Sequence, residues 1–436
     1  MVRYTNYYSW ILKGGNNLEI IVVENSPPLK GNVRINGAKN SALPILAASL
    51  LGTEDIILED VPRIKDVEIM CEVLRTLGAK VDFLDEGIIK INSRGLNNYI
   101  TRYDLMNKMR ASLLVMGPLL TRLGKTKSSL PGGCAIGTRP IDLHLKGFRA
   151  LGATVETEHG NIGAYADRLI GDKIYLDFPS VGATENIMMA ATMAKGETII
   201  DNAAMEPEIV DLQNFLNKLG ADVKGAGTSS IKIKGVEKLG GASHQIIPDR
   251  IEAGTFMVAA AITGGDVVVD NVITSHIKPV IAKLKEVGVE IQENGDSVRV
   301  NATNKKLKAV DIKTLPYPGF PTDMAAQFMA LLTICEGSSV VIETVFENRF
   351  MHVDELKRMG ADIKIDGKSA IIRGIDNLTG AQVKASDLRA GAALIIAGLV
   401  AEGKTEIDNI YHIDRGYVDI EDRFIKLGAR IYRKTI

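Results

Sequence analysis

The chain has 436 residues, 46% of them hydrophobic and 5% aromatic, which supplies two separately cored domains and excludes a disordered chain. Its 52 basic and 53 acidic residues leave a formal net charge of −1, which excludes general nucleic-acid binding but still allows one basic cleft for a small anion. Three cysteines, Cys71, Cys134 and Cys335, with no framework spacing, point to a reducing compartment without disulfides.

Residues 1–17 read as an extension to the fold. The apolar run from Tyr8 to Leu12 is too short for a secretory h-region, and no uninterrupted apolar run reaches membrane-spanning length. The expectation is a cytoplasmic chain with no membrane partner. Beyond the extension, one phrase keeps returning: Leu-Gly-Ala or a close variant, at Gly78, Gly152, Gly220, Gly288, Gly360 and Gly428, 68 to 74 residues apart. Each copy follows an amphipathic segment, such as Asp66–Leu77 or Asp211–Leu219, and precedes a β-rich run, so the glycine should cap a helix. A second phrase, alanine-rich and apolar, ends at Gly52, Gly124, Gly196, Gly264, Gly337 and Gly403. Six units of this size are too large for a solenoid, and two groups of three fit two domains.

In chain order, the first tract with chemical potential is Leu29–Pro44, where a strand breaks at Gly37 and a helix should begin near Ser41. Lys39 and Asn40 then lie at the turn into that helix, where a cation and an amide can meet an anion; solvated surface residues are the plain alternative. Arg110 opens an apolar helix, beside a helix end that disfavours a cation unless a ligand is present. Gly124-Lys-Thr126 resembles the tail of a phosphate-binding loop but has Leu119 where that loop needs glycine. Dinucleotide, metalloprotease, paired-cysteine and nucleophile-elbow motifs are missing. His352 with Asp354, or His412 with Asp414, could hold a metal, though such pairs are far more often surface or hydrogen-bonding residues.

The segment Ser128–Arg139 has Pro131, Gly132, Gly133 and Gly137, leaving no room for a strand or helix interior around Cys134. Pro140 suits the first turn of a helix through Ile141, Leu145 and Phe148, which puts Cys134, Thr138 and Arg139 near a helix N-terminus that favours thiolate and attracts anions. Further on, Phe178–Thr184 is a turn into the helix Glu185–Ala194, capped by Ser180 or Thr184. Ile246–Arg250 breaks the repeat and marks a crossover between domains. Asp323 enters a helix over Met324–Thr333, where an acid is ordinarily only a cap. Arg349, Arg389 and Arg415 occupy matching turns of the last three repeats. They could converge on a polyanion; surface ion pairs with Glu347, Asp387 and Asp414 are the plain alternative.

Taken together, Asn36-Gly-Ala-Lys-Asn40, Leu130-Pro-Gly-Gly-Cys134, Gly137-Thr-Arg-Pro140, Phe320-Pro-Thr-Asp323, Glu343–His352 and Tyr411-His-Ile-Asp-Arg-Gly416 closely resemble the enolpyruvyl transferase family that uses UDP-N-acetylglucosamine, over about residues 19 to 436. The resemblance implies an α/β fold of two inside-out barrel-like domains, each of three repeats with helices packed inside sheets, and an active site in the cleft between them. Carried over by motif, one domain spans about 39–247, and the other joins 18–38 to 248–436.

It further implies that phosphoenolpyruvate and UDP-N-acetylglucosamine give the enolpyruvyl ether and phosphate, without metal or organic cofactor, as the opening step of peptidoglycan synthesis. By the same resemblance Cys134 is the acid at C3, and Asp323 is the base at the sugar 3′-hydroxyl. Lys39, Arg139 and Arg415 hold the phosphate, Arg349 and Arg389 lie near the carboxylate, and Asp387 helps relay a proton. Asn40, Arg110, Arg139, Pro140, Ile141, Asp142, Leu143, Phe178, Pro179, Ser180, Val181, Asp323 and Val345 match sugar-nucleotide contacts; Phe178 departs from the lysine that many members carry. The shikimate-pathway sister enzyme, whose family lacks the Pro-Gly-Gly-Cys loop, and a non-catalytic sugar-nucleotide-binding paralogue are the competing readings. The sequence leaves the oligomeric state open.

Overall fold

The computed structural model describes residues 19–129 and 141–436, without the side chains of Asn107 and Arg110. The sheets follow directly from the repeat. Six appear among the described residues, five of four strands and one of three. In each four-stranded sheet an antiparallel pair joins a central strand that also pairs in parallel with a fourth, as in Asp222–Lys224, Ser230–Lys234, Glu197–Asp201 and Lys173–Tyr175. The three-stranded sheet, Lys125–Ser129, Asn161–Tyr165 and Thr154–Glu158, has only a parallel bridge from Ile100 to Lys127 in the place of a fourth strand.

All six glycines of the first phrase have positive φ, from 87° at Gly152 to 106° at Gly78 and Gly288. This is the left-handed region in which a Cβ is penalised, so each glycine ends its amphipathic helix and turns the chain into the next strand. The second phrase divides. Five of its glycines have positive φ, but Gly52 is extended, with φ −73°. A Cβ at Gly52 would lie 2.6 Å from the Gly240 carbonyl oxygen, so its smallness serves a close backbone approach.

The alanine-rich segments form the interior. In the helices Arg250–Ile262, Ala325–Leu332 and Leu388–Gly398, nearly every residue is buried, as in Lys39–Ala48 and Val181–Ala191. A helix that is apolar all round must be enclosed, and here the sheets with their amphipathic helices form the outer layer. The result is an inside-out α/β architecture whose sheets remain separate. Each fully buried Leu, Ile or Phe in these helices contributes roughly 1.5–3 kcal/mol.

Two hydrophobic cores result. One draws on residues between Ala42 and Ile246, the other on Ile21–Ile35 together with Ile251–Ile431. The chain passes between them twice, and the passages touch where Gly37 bridges Pro248 and the Ala38 amide donates to the Ile247 carbonyl at 2.7 Å. Cys71 and Cys335 are fully buried in separate cores, and burial pushes both thiols up to about 12. No helix among the described residues is long and apolar enough to cross a membrane.

The helix-ending role of glycine can be tested at Gly428, where φ is 93° and nothing lies within 4 Å of an added Cβ. Gly428→Ala should lower unfolding free energy by about 1–2 kcal/mol through backbone strain alone. Gly428→Asn should lose less, and urea unfolding of the two variants beside the parent chain measures the difference.

Candidate active site

Local folding places the first cation. The helix expected near Ser41 starts two residues earlier, making Lys39 and Asn40 its first turn, with no side-chain cap from Ala38. The uncapped helix end is served from the other half of the chain: Asp249 Oδ2 accepts from the Lys39 amide at 3.2 Å, while its Oδ1 caps the helix Arg250–Ile262 through the Ile251 and Glu252 amides. One carboxylate thus lies at two helix N-termini, where negative charge is favoured. The Lys39 ammonium meets Asp66 at 2.8 Å, and Asp66 also accepts from Arg415 Nε at 2.8 Å. Asp66 is 2% exposed. Burial lowers the Lys39 pKa, partly opposed by Asp66, with Arg389 and Arg415 acting in the same direction as burial. Burial alone would raise Asp66, but Lys39 and Arg415 outweigh it and hold the carboxyl low.

A second cluster adjoins the first. Asp323 lies in the 3-10 turn Thr322–Met324, ahead of the helix Ala325–Leu332, and the residue at the cap position is Pro321. The plain capping role does not hold, because the carboxylate oxygens accept from arginines: Oδ1 from Arg349 at 3.0 Å, and Oδ2 from Arg389 at 3.0 and 3.2 Å. Both arginines are 3% exposed, so they are no surface ion pairs. Arg349 also lies 3.9 Å from Asp387. Asp387 Oδ1 caps the helix Leu388–Gly398 through the Arg389 and Ala390 amides, which fixes where Arg389 starts. Arg389 further donates to the Tyr417 hydroxyl at 3.2 Å, and Tyr417 meets Thr255 at 2.9 Å in the adjoining buried helix.

The three arginines therefore divide: two share Asp323, and Arg415 reaches Asp66. Asp414, a suggested partner for Arg415, pairs instead with Arg433 at 2.8 Å. His352 is buried beside the arginines, with Nδ1 3.2 Å from the Arg349 carbonyl, and burial lowers its pKa to about 4.

The sugar-nucleotide candidates fall on neighbouring elements. Ser180, not Thr184, caps Val181–Ala191 by accepting from the Ala183 amide at 3.4 Å, while Thr184 accepts from the Ala204 amide. Phe178 is 45% exposed at the head of this turn. Ile141 is the cap residue of the helix Asp142–Ala150, which carries Leu143 in its first turn. Buried Asn186 joins these parts: it accepts from the Gly117 amide at 2.7 Å and donates to the Leu113 carbonyl at 3.1 Å, with its amide nitrogen also 3.1 Å from His144 Nδ1. Arg110 begins the 3-10 turn Arg110–Val115. Val345 follows the strand Ser338–Ile342, its amide donating to Glu343 at 2.7 Å. Cys134, Arg139 and Pro140 lie outside the described residues.

A family profile for EPSP synthase (3-phosphoshikimate 1-carboxyvinyltransferase) matches residues 23–424. The chain belongs to this family. Among its relatives, the UDP-N-acetylglucosamine 1-carboxyvinyltransferase of Finegoldia magna is 68% identical, over 96% of this chain and 100% of that one. UDP-N-acetylglucosamine 1-carboxyvinyltransferase 1 of Caldanaerobacter subterraneus is 64% identical, over 95% and 99%. The enolpyruvyl transferase NikO of Streptomyces tendae superposes with a TM-score of 0.86 at 24% identity, covering 96% of this chain and 100% of that one. EPSP synthase of Acinetobacter baumannii gives 0.74 at 20% identity, covering 96% and 100%. These two share the fold. The chain is an enzyme of the carboxyvinyltransferase class, and its cation clusters suit the anions such an enzyme handles.

Sequence reasoning missed several residues of this transferase. Asp66, Asp249, Tyr417 and Asn186 carry no motif of their own, and each acts through a partner distant in the chain. A further acidic group is buried on the helix Val181–Ala191. Glu185, 4% exposed on the helix Val181–Ala191, feels Glu208 and Glu206, and Glu208 pairs with Arg250 at 3.0 Å. Burial first, and then the two neighbouring carboxylates, raise the Glu185 pKa well above its ordinary 4.5. The folded chain therefore keeps a proton that the unfolded chain releases, so this group's contribution to stability falls as pH rises above 4.5. Glu185→Gln should flatten that fall, and thermal midpoints from acid to neutral pH measure it. Parallel curves for variant and parent would contradict a neutral buried Glu185.

Proposed function

We propose that the enzyme transfers the enolpyruvyl group of phosphoenolpyruvate to the 3′-hydroxyl of UDP-N-acetylglucosamine and releases phosphate, opening peptidoglycan synthesis. The observation that carries this reading is the 68% identity to a UDP-N-acetylglucosamine 1-carboxyvinyltransferase over that protein's whole length. The convergence of Lys39, Asp323, Arg349, Arg389 and Arg415 supports it. The wider family includes enzymes named for a shikimate phosphate acceptor, but the solved structures with that name are only 20% identical. The Pro-Gly-Gly-Cys phrase around Cys134 separates the two acceptors in the same direction.

The chemistry is addition followed by elimination. The sugar oxygen bonds to C2 of phosphoenolpyruvate, its proton passes to Asp323, and C3 gains a proton from Cys134. The resulting tetrahedral phospho-ketal then loses a proton from C3 as the C2–O bond to phosphate breaks, which restores the double bond and frees phosphate. Acid and base must be separate groups, because a proton is added on one side while another leaves the nucleophile.

Both oxygens of Asp323 accept from arginines, and phosphoenolpyruvate brings a carboxylate that competes for those guanidiniums. Its arrival shifts Arg349 and Arg389 toward the substrate and leaves an Asp323 oxygen for the sugar hydroxyl. Lys39 and Arg415, already 2.8 Å from Asp66, are together with Arg139 the cations for the phosphoryl group. Their fixed charges stabilise the phospho-ketal more than the separated substrates. Asn40, Arg110, Arg139–Leu143, Phe178–Val181 and Val345 hold the sugar nucleotide, with Asp387 as a proton relay beside Arg349. The boundaries 39–247 and 18–38 with 248–436 make the two cores two domains that close over the substrates, in a cytoplasmic protein consistent with its two buried free thiols.

Phosphate release from phosphoenolpyruvate, followed with UDP-N-acetylglucosamine and with shikimate 3-phosphate, tests the reading. Release is expected with the sugar nucleotide alone; release only with the shikimate ester moves the assignment to the sister enzyme, and silence with both favours a binding paralogue. Cys134→Ser should lose most turnover with unchanged folding, and full activity in that variant would remove its role as the acid. Asp323→Ala should abolish turnover while phosphoenolpyruvate still binds, as measured by calorimetry.

A further inference from the structure

We propose that Glu343 is a positioning residue for the reaction, fastening the turn that carries Asp323 to the loop that carries Val345 and Arg349. The proposal rests on the reading above, in which Asp323 takes the proton of the sugar hydroxyl.

Glu343 is 1% exposed and directly follows the strand Ser338–Ile342. Four donors converge on its side chain. Oε1 accepts from the Val345 amide at 2.7 Å, the Phe346 amide at 3.1 Å and the Thr314 hydroxyl at 2.9 Å. Oε2 accepts from the Thr322 hydroxyl at 2.8 Å. This set suits a carboxylate, the side chain that offers two oxygens and four lone-pair positions without a competing donor. The two amides on Oε1 fold the chain back on itself, so the loop from Val345 to Arg349 starts at a fixed angle. Thr314 adds a brace, because its hydroxyl also accepts from the Thr344 amide at 3.0 Å and its carbonyl accepts from the Thr344 hydroxyl at 2.6 Å.

The bond from Thr322 gives this cluster its bearing on the chemistry. Thr322 precedes Asp323, and its other polar group is also held, since the Thr322 carbonyl accepts from Arg349 Nε at 3.2 Å. The turn is therefore gripped at its hydroxyl by Glu343 and at its carbonyl by Arg349, while Asp323 Oδ1 accepts from the same arginine at 3.0 Å. When phosphoenolpyruvate draws the guanidinium away, the Thr322–Glu343 bond is the contact in this set that stays and holds Asp323 in register with Val345. Glu343 touches no reacting atom in this arrangement; it acts through Thr322 and through the Val345 turn. A misplacement of a proton acceptor by about 1 Å costs about 10²-fold in rate, the scale on which such a tether acts.

Thr322→Val tests this by removing the hydroxyl while keeping the branched shape, and Thr322→Ser restores the hydroxyl. With the full chain, phosphoenolpyruvate and UDP-N-acetylglucosamine, Thr322→Val should lower kcat by about 10- to 100-fold per folded molecule, leaving KM for phosphoenolpyruvate within about twofold. Thr322→Ser should recover most of the loss. Glu343→Gln, which exchanges one acceptor oxygen for a donor, should lower kcat in the same direction with phosphoenolpyruvate binding retained. A Thr322→Val enzyme with parental kcat, or equal impairment of the Val and Ser variants, overturns the positioning role while the functional reading stands. A parent chain that releases no phosphate with UDP-N-acetylglucosamine overturns that reading and the proposal with it.

Discussion

The buried carboxylate of Asp66 is held by Lys39 from its own half of the chain and by Arg415 from the other, 349 residues away in sequence. A carboxylate removed from water needs such partners, and deleting one of them typically costs about 3–5 kcal/mol because a charge is left stranded. The same economy governs the rest of the site. Asp323 answers Arg349 and Arg389, Asp249 answers two helix ends, and Glu208 answers Arg250. Without substrate the cations are satisfied by internal carboxylates, so a binding anion exchanges one partner for another and avoids meeting bare charge. Val418, shortly after Arg415, packs against the core built from residues 42–246, which brings the Arg415–Val418 turn of the second half onto the first.

Much of the fold was legible because it depends on local chemistry repeated six times. A glycine in a left-handed turn, an amphipathic helix before it and a hairpin after it each leave a mark in neighbouring residues. Gly52 shows where that legibility ends: its place in the pattern is regular, but its reason is contact with Gly240, far along the chain. The start of the Lys39–Ala48 helix was misplaced for a related cause. The group serving its end is Asp249, and no local signal announces a cap supplied from across the chain.

The candidate site divides in the same way. Lys39, Asp323, Arg349 and Arg415 lie in phrases distinctive enough to carry a resemblance, Arg389 stands out by its place in the repeats, and the structure brings the five into two adjoining clusters. Glu343 opens one of those phrases yet is not singled out by it, since its importance lies in the Thr314 and Thr322 hydroxyls. Asp66 marks only the start of the amphipathic segment Asp66–Leu77 in the sequence, and acids are common in the first turn of a helix. Local pattern names the groups that touch ligand more readily than the groups that hold them still.

The arrangement of strands also orders the making of the molecule. The strand Glu19–Glu24 lies between Lys404–Asp408 and Arg430–Thr435, so the first described strand finds its sheet partners only when residues from 404 onward have been synthesised. The fully buried side chains of the core of residues 42–246 are all made much earlier. On a ribosome, where domains generally fold as units as they emerge, that core can be complete while the leading strand still waits unpaired. Both edges of that leading strand therefore stay unpaired until residues 404–435 are made.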